Sequence, residues 1–144
     1  MTDTAWELSH SVETDASQKF AWDFMSNVSN WNDPPAEFHL DGTFRTGAQG
    51  STQMPGQPAQ PWQLVDVKPP ESYTIEFALD GATLTFEWRF ASFLGGTRLT
   101  QQVRLSGENA AEYLSLVEQA LGSNLAPGME RIAAAIDRAY STGK

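Results

Sequence analysis

Hydrophobic and polar residues alternate between Ala5 and Glu13, and His10 falls among the apolar members of the pattern. Alternation with a period of two indicates a β-strand with one buried face. The stretch from Glu37 to Gly107 also alternates, in short segments separated by turn-forming dipeptides. These dipeptides are Asp41-Gly42, Pro55-Gly56, Pro69-Pro70, Asp80-Gly81 and Gly95-Gly96. The pattern predicts an antiparallel meander of several strands.

A short helix is predicted between the first strand and the meander. Phe20, Phe24 and Val28 recur at helical spacing, and Thr14 or Asp15 is placed to cap the helix. Proline restricts the residue before it to extended conformations, so the helix is expected to stop before the proline pair. The stop signals are Asn30, Asn32 and Pro34-Pro35.

A long helix is predicted at the end of the chain. After Glu108-Asn109 the apolar residues change to helical spacing and mark one face of this helix. The residues of that face are Leu114, Val117, Leu121, Leu125, Ile132 and Ile136. Gly122, Pro127 and Gly128 are expected to bend the helix. The order of elements indicates an α+β fold whose sheet buries one face against the last helix.

Length, composition and charge narrow the possible partners. The 144 residues suit one domain, 1–144, and the 18 acidic residues against nine basic ones give a net charge of -9. This charge repels the phosphate backbone of nucleic acid and anionic lipid surfaces. No apolar run is long enough to span a bilayer. We therefore expect neither nucleic-acid binding nor membrane insertion.

The cellular compartment is expected to be the cytoplasm. The sequence contains no cysteine, which excludes disulfides, thiolate metal sites and thiol nucleophiles. The first residues, MTDTAWELSHS, lack the basic and apolar regions of an export signal.

Four segments of the chain resemble the SRPBCC superfamily of START-related, helix-grip domains, and most closely its polyketide cyclase/dehydrase branch. They are the opening strand followed by TDASQKFAWDFMSNVSNWNDP, the segment PWQLVDVKPPESYTIEF, the segment FLGGTRLTQQVRLSG, and the terminal helix. The resemblance implies a curved seven-stranded antiparallel sheet around the long C-terminal helix, with two short helices after the first strand. It also implies a pocket for an apolar small molecule between sheet and helix.

Gln101 stands on an apolar strand face, between Leu99 and Val103. A buried amide without a partner costs about 1–3 kcal/mol, so Gln101 is expected to bond to protein, to water or to a ligand. A partly polar, water-filled cavity satisfies an amide that a tightly packed core would not. Two interpretations stay open, a satisfied core amide and a ligand contact.

His10 raises the same question on the first strand. Its imidazole donates and accepts hydrogen bonds and titrates near neutrality, so His10 is the candidate catalytic acid or base. The alternative is a hydrogen-bonded core histidine, because no carboxylate on the same strand face orients the ring. The first and last strands of a helix-grip sheet are neighbours, so His10 and Gln101 are expected to face one space and to hold the polar end of a ligand.

Aromatic and apolar residues on inward faces complete the predicted pocket, although such stripes also form ordinary cores. The predicted ligand-binding residues are Trp6, His10, Tyr73, Phe77, Phe86, Trp88, Gln101, Leu121 and Leu125. The Met54 to Pro61 loop is rich in proline and cannot join a regular sheet. This loop and the helix near Gly122 are predicted to gate the pocket.

No metal and no cofactor are expected. His10 and His39 are the only histidines, and alternation with Phe38 and Leu40 directs His39 toward solvent. A facial triad would need two inward histidines. Gly95-Gly96 precedes a strand, whereas phosphate-binding glycine loops precede a helix. On the outer face, Glu87 and Arg89 are interpreted as surface charges paired across strands.

Two functions are compatible with the sequence. A module that binds an apolar or aromatic, lipid- or polyketide-like molecule needs only the cavity and its gate. A polyketide cyclase/dehydrase-type enzyme needs oriented acid–base groups, for which the candidates are His10, Gln101, Tyr73 and Thr52. A protein-interaction role, as in chaperone-cofactor relatives, has no specific support. We expect a monomer or a weak homodimer.

Overall fold

The computed structural model describes residues 4–31 and 36–142. Within them, seven strands form one antiparallel sheet. The strands are β1 (Thr4–Thr14), β2 (Glu37–Asp41), β3 (Gln49–Gln53), β4 (Gln60–Lys68), β5 (Ser72–Leu79), β6 (Ala82–Phe93) and β7 (Gly96–Ser106). Their order is β1-β7-β6-β5-β4-β3-β2, so the first strand pairs with the last.

The helices lie after the first strand and after the last. They are α1 (Gln18–Met25), a short 3₁₀ helix (Val28–Trp31), α2 (Ala110–Leu121) and α3 (Leu125–Thr142). This arrangement confirms the predicted α+β, helix-grip fold with a curved seven-stranded sheet. No helix of the described ranges is long and apolar enough to cross a membrane.

The start of α1 differs from the prediction. Ser17 is the N-cap, since its hydroxyl accepts a hydrogen bond of 3.1 Å from the Phe20 N–H, a role for which serine is well suited. The predicted caps, Thr14 and Asp15, were wrong. These two residues instead fasten β1 to α3, because the Thr14 hydroxyl and the Asp15 N–H both donate to Asp137 Oδ1.

The second short helix is the 3₁₀ turn Val28–Trp31. Val28 belongs to this turn rather than to α1. The Trp31 Nε1–H donates to the Met25 carbonyl at 2.6 Å, which ties the turn to the end of α1. The stop signals predicted at Asn32 and Pro34-Pro35 lie outside the described residues.

The predicted long terminal helix is divided between α2 and α3 at Gly122–Asn124, where only a bend was expected. Asn124 serves both ends of the break. Its Nδ2 donates to the Ala120 carbonyl at 2.8 Å, and its own carbonyl accepts from the Gly128 N–H at 3.0 Å. Pro127 lies in the first turn of α3, where a missing N–H costs no helical hydrogen bond.

Alternation along β7 defines the inward face of the sheet. Every second side chain is buried and at most 8 % exposed: Thr97, Leu99, Gln101, Val103 and Leu105. A large apolar cluster lies between the central strands, α1 and α3. A smaller cluster around Ala82, Leu105, Ala110 and Val117 lies under α2. The sheet, the 3₁₀ turn and α3 therefore enclose the volume in which a site can form.

The outer face of the sheet carries exposed charges. Arg89 contacts Glu87 within β6 at 3.2 Å, so the prediction that this pair reaches across strands was wrong. Residues two positions apart on a strand share a face and can meet. Among the described residues, the ion pairs that cross strands join β1 to β7, Glu7 with Arg104 and Glu13 with Arg98.

Candidate functional site

A cavity of about 520 Å³ lies between the concave face of the sheet and the helices. Binding pockets for small molecules commonly have about 300–1,000 Å³. The wall is mostly apolar, and its aromatic members are Phe24, Trp31, Phe38, Trp62, Tyr73, Phe77, Phe86 and Trp88. The helical side is formed by α3 and by its junction with α2.

Seven of the nine predicted ligand-binding residues line this cavity. They are Tyr73, Phe77, Phe86, Trp88, Gln101, Leu121 and Leu125. The first five come from β5, β6 and β7, where alternation directs them inward. Leu121 ends α2 and Leu125 begins α3, so the break between the helices brings both to the wall.

Trp6 and His10 are not among the residues that line this cavity, and their contact with a ligand stays a prediction. Both lie on β1, a strand at the edge of the sheet against which α3 packs, so the cavity ends before it. Trp6 packs against both apolar clusters. The His10 side chain is partly buried and makes no hydrogen bond within the described part of the chain. No carboxylate of the described residues pairs with its ring.

Gln101 is in the cavity wall and only 8 % exposed. Its side-chain amide forms no hydrogen bond with any of the described residues. Within residues 4–31 and 36–142, the structure therefore gives no support to the interpretation that Gln101 is a core amide satisfied by protein groups. The amide is available to whatever the cavity contains.

Tyr73 carries a second polar group in the same wall. Its side chain is 1 % exposed, and its hydroxyl has no hydrogen-bond partner among the described residues. Burial raises the pKa of Tyr73 well above its usual range, because the phenolate would lose its solvation. The group therefore stays protonated at neutral pH. The ring lies among Trp22, Trp31, Phe44, Trp88 and Phe90.

Trp31 and Trp62 are wall residues that the sequence analysis missed. Trp62 stands on the inward face of β4, and its Nε1–H donates to Thr52 Oγ1 at 3.1 Å. The hydroxyl of Thr52, a candidate for acid–base work, is thus engaged. Trp62 and the buried Leu64 are two residues apart, so alternation could have indicated that Trp62 faces inward. No local pattern indicates Trp31, which the 3₁₀ turn brings over Tyr73 at 6.0 Å between ring centroids.

Exposed polar residues line the open side of the cavity. They are Asn30, Gln60, Asn124 and Arg131. Gln60 belongs to the Met54 to Pro61 segment predicted to gate the pocket, and Asn124 lies at the break between α2 and α3. The prediction that this segment cannot join the sheet was wrong at its end, because Gln60 and Pro61 begin β4 and pair with Thr52 and Ser51 of β3. Both predicted gate segments therefore reach the cavity, and their movement stays a prediction.

The described residues include no group of three or more histidine, aspartate or glutamate side chains placed to hold a metal ion. His39 faces solvent, as alternation indicated, with 65 % of its side chain exposed. Its Nε2 lies 3.9 Å from a carboxylate oxygen of Glu37 on the same strand.

The sequence matches the family model described as polyketide cyclase / dehydrase and lipid transport over residues 5–137. The chain belongs to this family. The match confirms the resemblance to the SRPBCC superfamily and its polyketide cyclase/dehydrase branch. No curated protein matches the sequence.

Solved structures share the whole fold of this family member. Protein Ms6760 from Mycobacterium smegmatis is 20% identical with a TM-score of 0.64, and the match covers 99% of this chain and 98% of that one. A protein from Nitrosomonas europaea is 12% identical with a TM-score of 0.71, over 94% and 96% of the two chains.

Norcoclaurine synthase from Thalictrum flavum, solved in complex with dopamine and hydroxybenzaldehyde, is also similar. It is 13% identical with a TM-score of 0.70, over 94% of this chain and 87% of that one. Identities this low show a common fold and leave the ligand of this chain to be argued from its own cavity.

Proposed function

We propose that this protein binds an apolar or aromatic small molecule, lipid-like or polyketide-like, in the cavity between the sheet and α3. The observation that carries the proposal is the wall itself, which is mostly apolar, contains eight aromatic side chains and is interrupted by the amide of the buried residue Gln101. Aromatic walls favour flat ligands, and a few polar groups orient them.

Energetics support the same proposal. Each Å² of apolar ligand surface removed from water contributes roughly 25 cal/mol, so a molecule that fills much of a 520 Å³ cavity gains most of its affinity from the wall. The family description includes lipid transport. The norcoclaurine synthase of the same fold was solved with two small aromatic molecules.

The test uses a neutral aromatic probe, N-phenyl-1-naphthylamine, whose fluorescence rises in apolar surroundings. We expect saturable binding by the unmodified protein. Ala135→Trp, which places an indole in the cavity wall, is expected to abolish it. Ala134→Trp is the matched control, since Ala134 is the exposed neighbour on the same helix and does not line the cavity. Equal binding by both variants, or no saturable binding by the unmodified protein, would contradict the proposal.

A cyclase/dehydrase-type reaction is the second candidate. The observation that favours it is Tyr73, a wall residue whose protonated hydroxyl has no partner among the described residues. The wall thus offers Tyr73, rather than His10, as the proton donor. Incubation with a polyketide thioester should release water, detected by mass spectrometry of the product, and Tyr73→Phe should abolish this while retaining probe binding. A fully active Tyr73→Phe variant would exclude the role.

A further inference from the structure

Three hydrogen-bond donors form a row across the floor of the cavity, and we propose that this row selects ligands whose flat apolar body carries a carbonyl oxygen. The row consists of Tyr73, Trp88 and Gln101. The inference rests on the proposed function and adds the chemical class of the ligand. It also replaces the predicted pairing of Gln101 with His10.

Strand register places the three side chains next to one another. Tyr73 on β5 lies directly opposite Trp88 on β6, and Trp88 lies directly opposite Gln101 on β7. Directly opposed residues of antiparallel strands share a face and have Cβ atoms about 4.5–5.5 Å apart. The register continues to His10 on β1, but the cavity ends before that strand.

All three residues are buried, and none of their polar side-chain groups is paired within the described ranges. The side chains are 1 %, 4 % and 8 % exposed for Tyr73, Trp88 and Gln101. None of them donates or accepts a side-chain hydrogen bond with the described residues. The wall's other indoles differ, since Trp62 donates to Thr52 and Trp31 donates to the Met25 carbonyl. Three unpaired groups side by side in an apolar wall form a binding site for one polar atom of a ligand.

The chemistry of the row identifies that atom as an acceptor. An indole N–H only donates, and a protonated phenol and a primary amide each offer a donor. A carbonyl oxygen has two lone pairs and can accept from two of these donors at once. The neighbouring wall residues Ile75, Phe77 and Phe86 are apolar, so they suit the remainder of a flat, hydrocarbon-rich molecule.

The test compares two probes that differ only at the acceptor, 2-acetylnaphthalene and 2-ethylnaphthalene. Displacement of N-phenyl-1-naphthylamine gives the dissociation constant of each. The measured quantity is the ratio of the hydrocarbon's constant to the ketone's. Trp88→Phe, Gln101→Leu and Tyr73→Phe each remove one donor, and at least one of them is expected to lower the ratio by about three- to tenfold. Tyr73→Phe deletes a single oxygen, so it keeps the test valid if the bulkier changes impair folding.

Trp62→Phe is the matched control, because it removes an indole N–H in the same wall that is already paired. The dissociation constants of this variant for the two probes are expected to change by the same factor, so their ratio is expected to stay unchanged. Ratios equal to that of the unmodified protein in all three row variants would overturn the inference while leaving small-molecule binding intact. Failure of both probes to displace the dye from the unmodified protein would instead contradict the proposed function.

Discussion

Tyr73 is the residue at which packing and function conflict most clearly. Its ring stacks on Trp31 with an interplanar angle of 9° and meets Trp22 and Phe44 edge-on, so the side chain is held firmly. Its buried hydroxyl has no partner among the described residues, and an unpaired buried hydroxyl costs about 1–3 kcal/mol. A phenylalanine would pack equally well without this cost. A buried polar group without a partner calls for a functional explanation, and a ligand oxygen supplies one.

The raised pKa of Tyr73 predicts a loss of stability at alkaline pH. The unfolded chain releases the phenol proton above about pH 10, while the folded protein retains it. The unfolded state then binds fewer protons, so the free energy of unfolding falls by about 1.4 kcal/mol per pH unit until the folded pKa is reached. Below about pH 10 this contribution is constant.

Urea denaturation at about pH 9 and about pH 11 checks this prediction, since the two values bracket the pKa of an exposed tyrosine. Tyr73→Phe is expected to lose less stability between the two pH values than the unmodified protein. Identical losses in the two proteins would show that Tyr73 does not titrate differently on folding.

At the scale of elements, the cavity depends on close packing between β3 and β4. Gly50 on β3 lies opposite Trp62 on β4, and a Cβ at position 50 would overlap the Trp62 indole and lie 2.6 Å from the His39 carbonyl. The missing side chain lets the indole lie over β3. In this position its N–H reaches Thr52 and its ring closes one end of the wall.

Gly50→Ala is therefore expected to lower the free energy of unfolding by about 1–3 kcal/mol, as overpacking usually does. It should also alter the near-UV circular dichroism, because Trp62 has to move. Gly128→Ala serves as the control, since within the described part of the chain a Cβ there meets only Arg131 at 3.7 Å. In helix α3 this second change should raise stability by up to about 1 kcal/mol. Equal denaturation midpoints for the two variants would refute the packing argument.

For the whole molecule, surface charge is the dominant long-range feature. The net charge is -9, and the ion pairs that join β1 to β7 are about half exposed. Exposed pairs of this kind contribute little, typically about 0.2–1 kcal/mol each. Repulsion among the surplus carboxylates acts over the whole surface and opposes the compact state.

Sodium chloride is accordingly expected to stabilise the protein. Raising the concentration from about 0.01 M to about 0.5 M shortens the screening length well below 10 Å. The free energy of unfolding should rise by about 1 kcal/mol or less, because screened repulsion outweighs screened ion pairs. A variant that combines Glu118→Gln and Glu130→Gln has less surplus negative charge. Its free energy of unfolding should therefore rise less when sodium chloride is added. A fall in the urea midpoint with added salt would mean that the exposed pairs dominate.

The sequence by itself determined which face of each strand is buried. Side chains alternate across a strand for local steric reasons, so a period of two was sufficient to direct Tyr73, Phe86, Trp88 and Gln101 inward. Family resemblance supplied the topology that closes a sheet around a helix. For this reason, most of the predicted wall residues lie in the wall of the observed cavity.

Only the tertiary structure decided how far the cavity extends and which polar groups meet in it. His10 has the inward face that alternation gave it, yet α3 packs against its strand, and long-range packing of that kind leaves no trace in local periodicity. Tyr73, Trp88 and Gln101 lie next to one another because of the register of three strands. Register is a property of pairing between distant segments, so alternation within each strand cannot specify it.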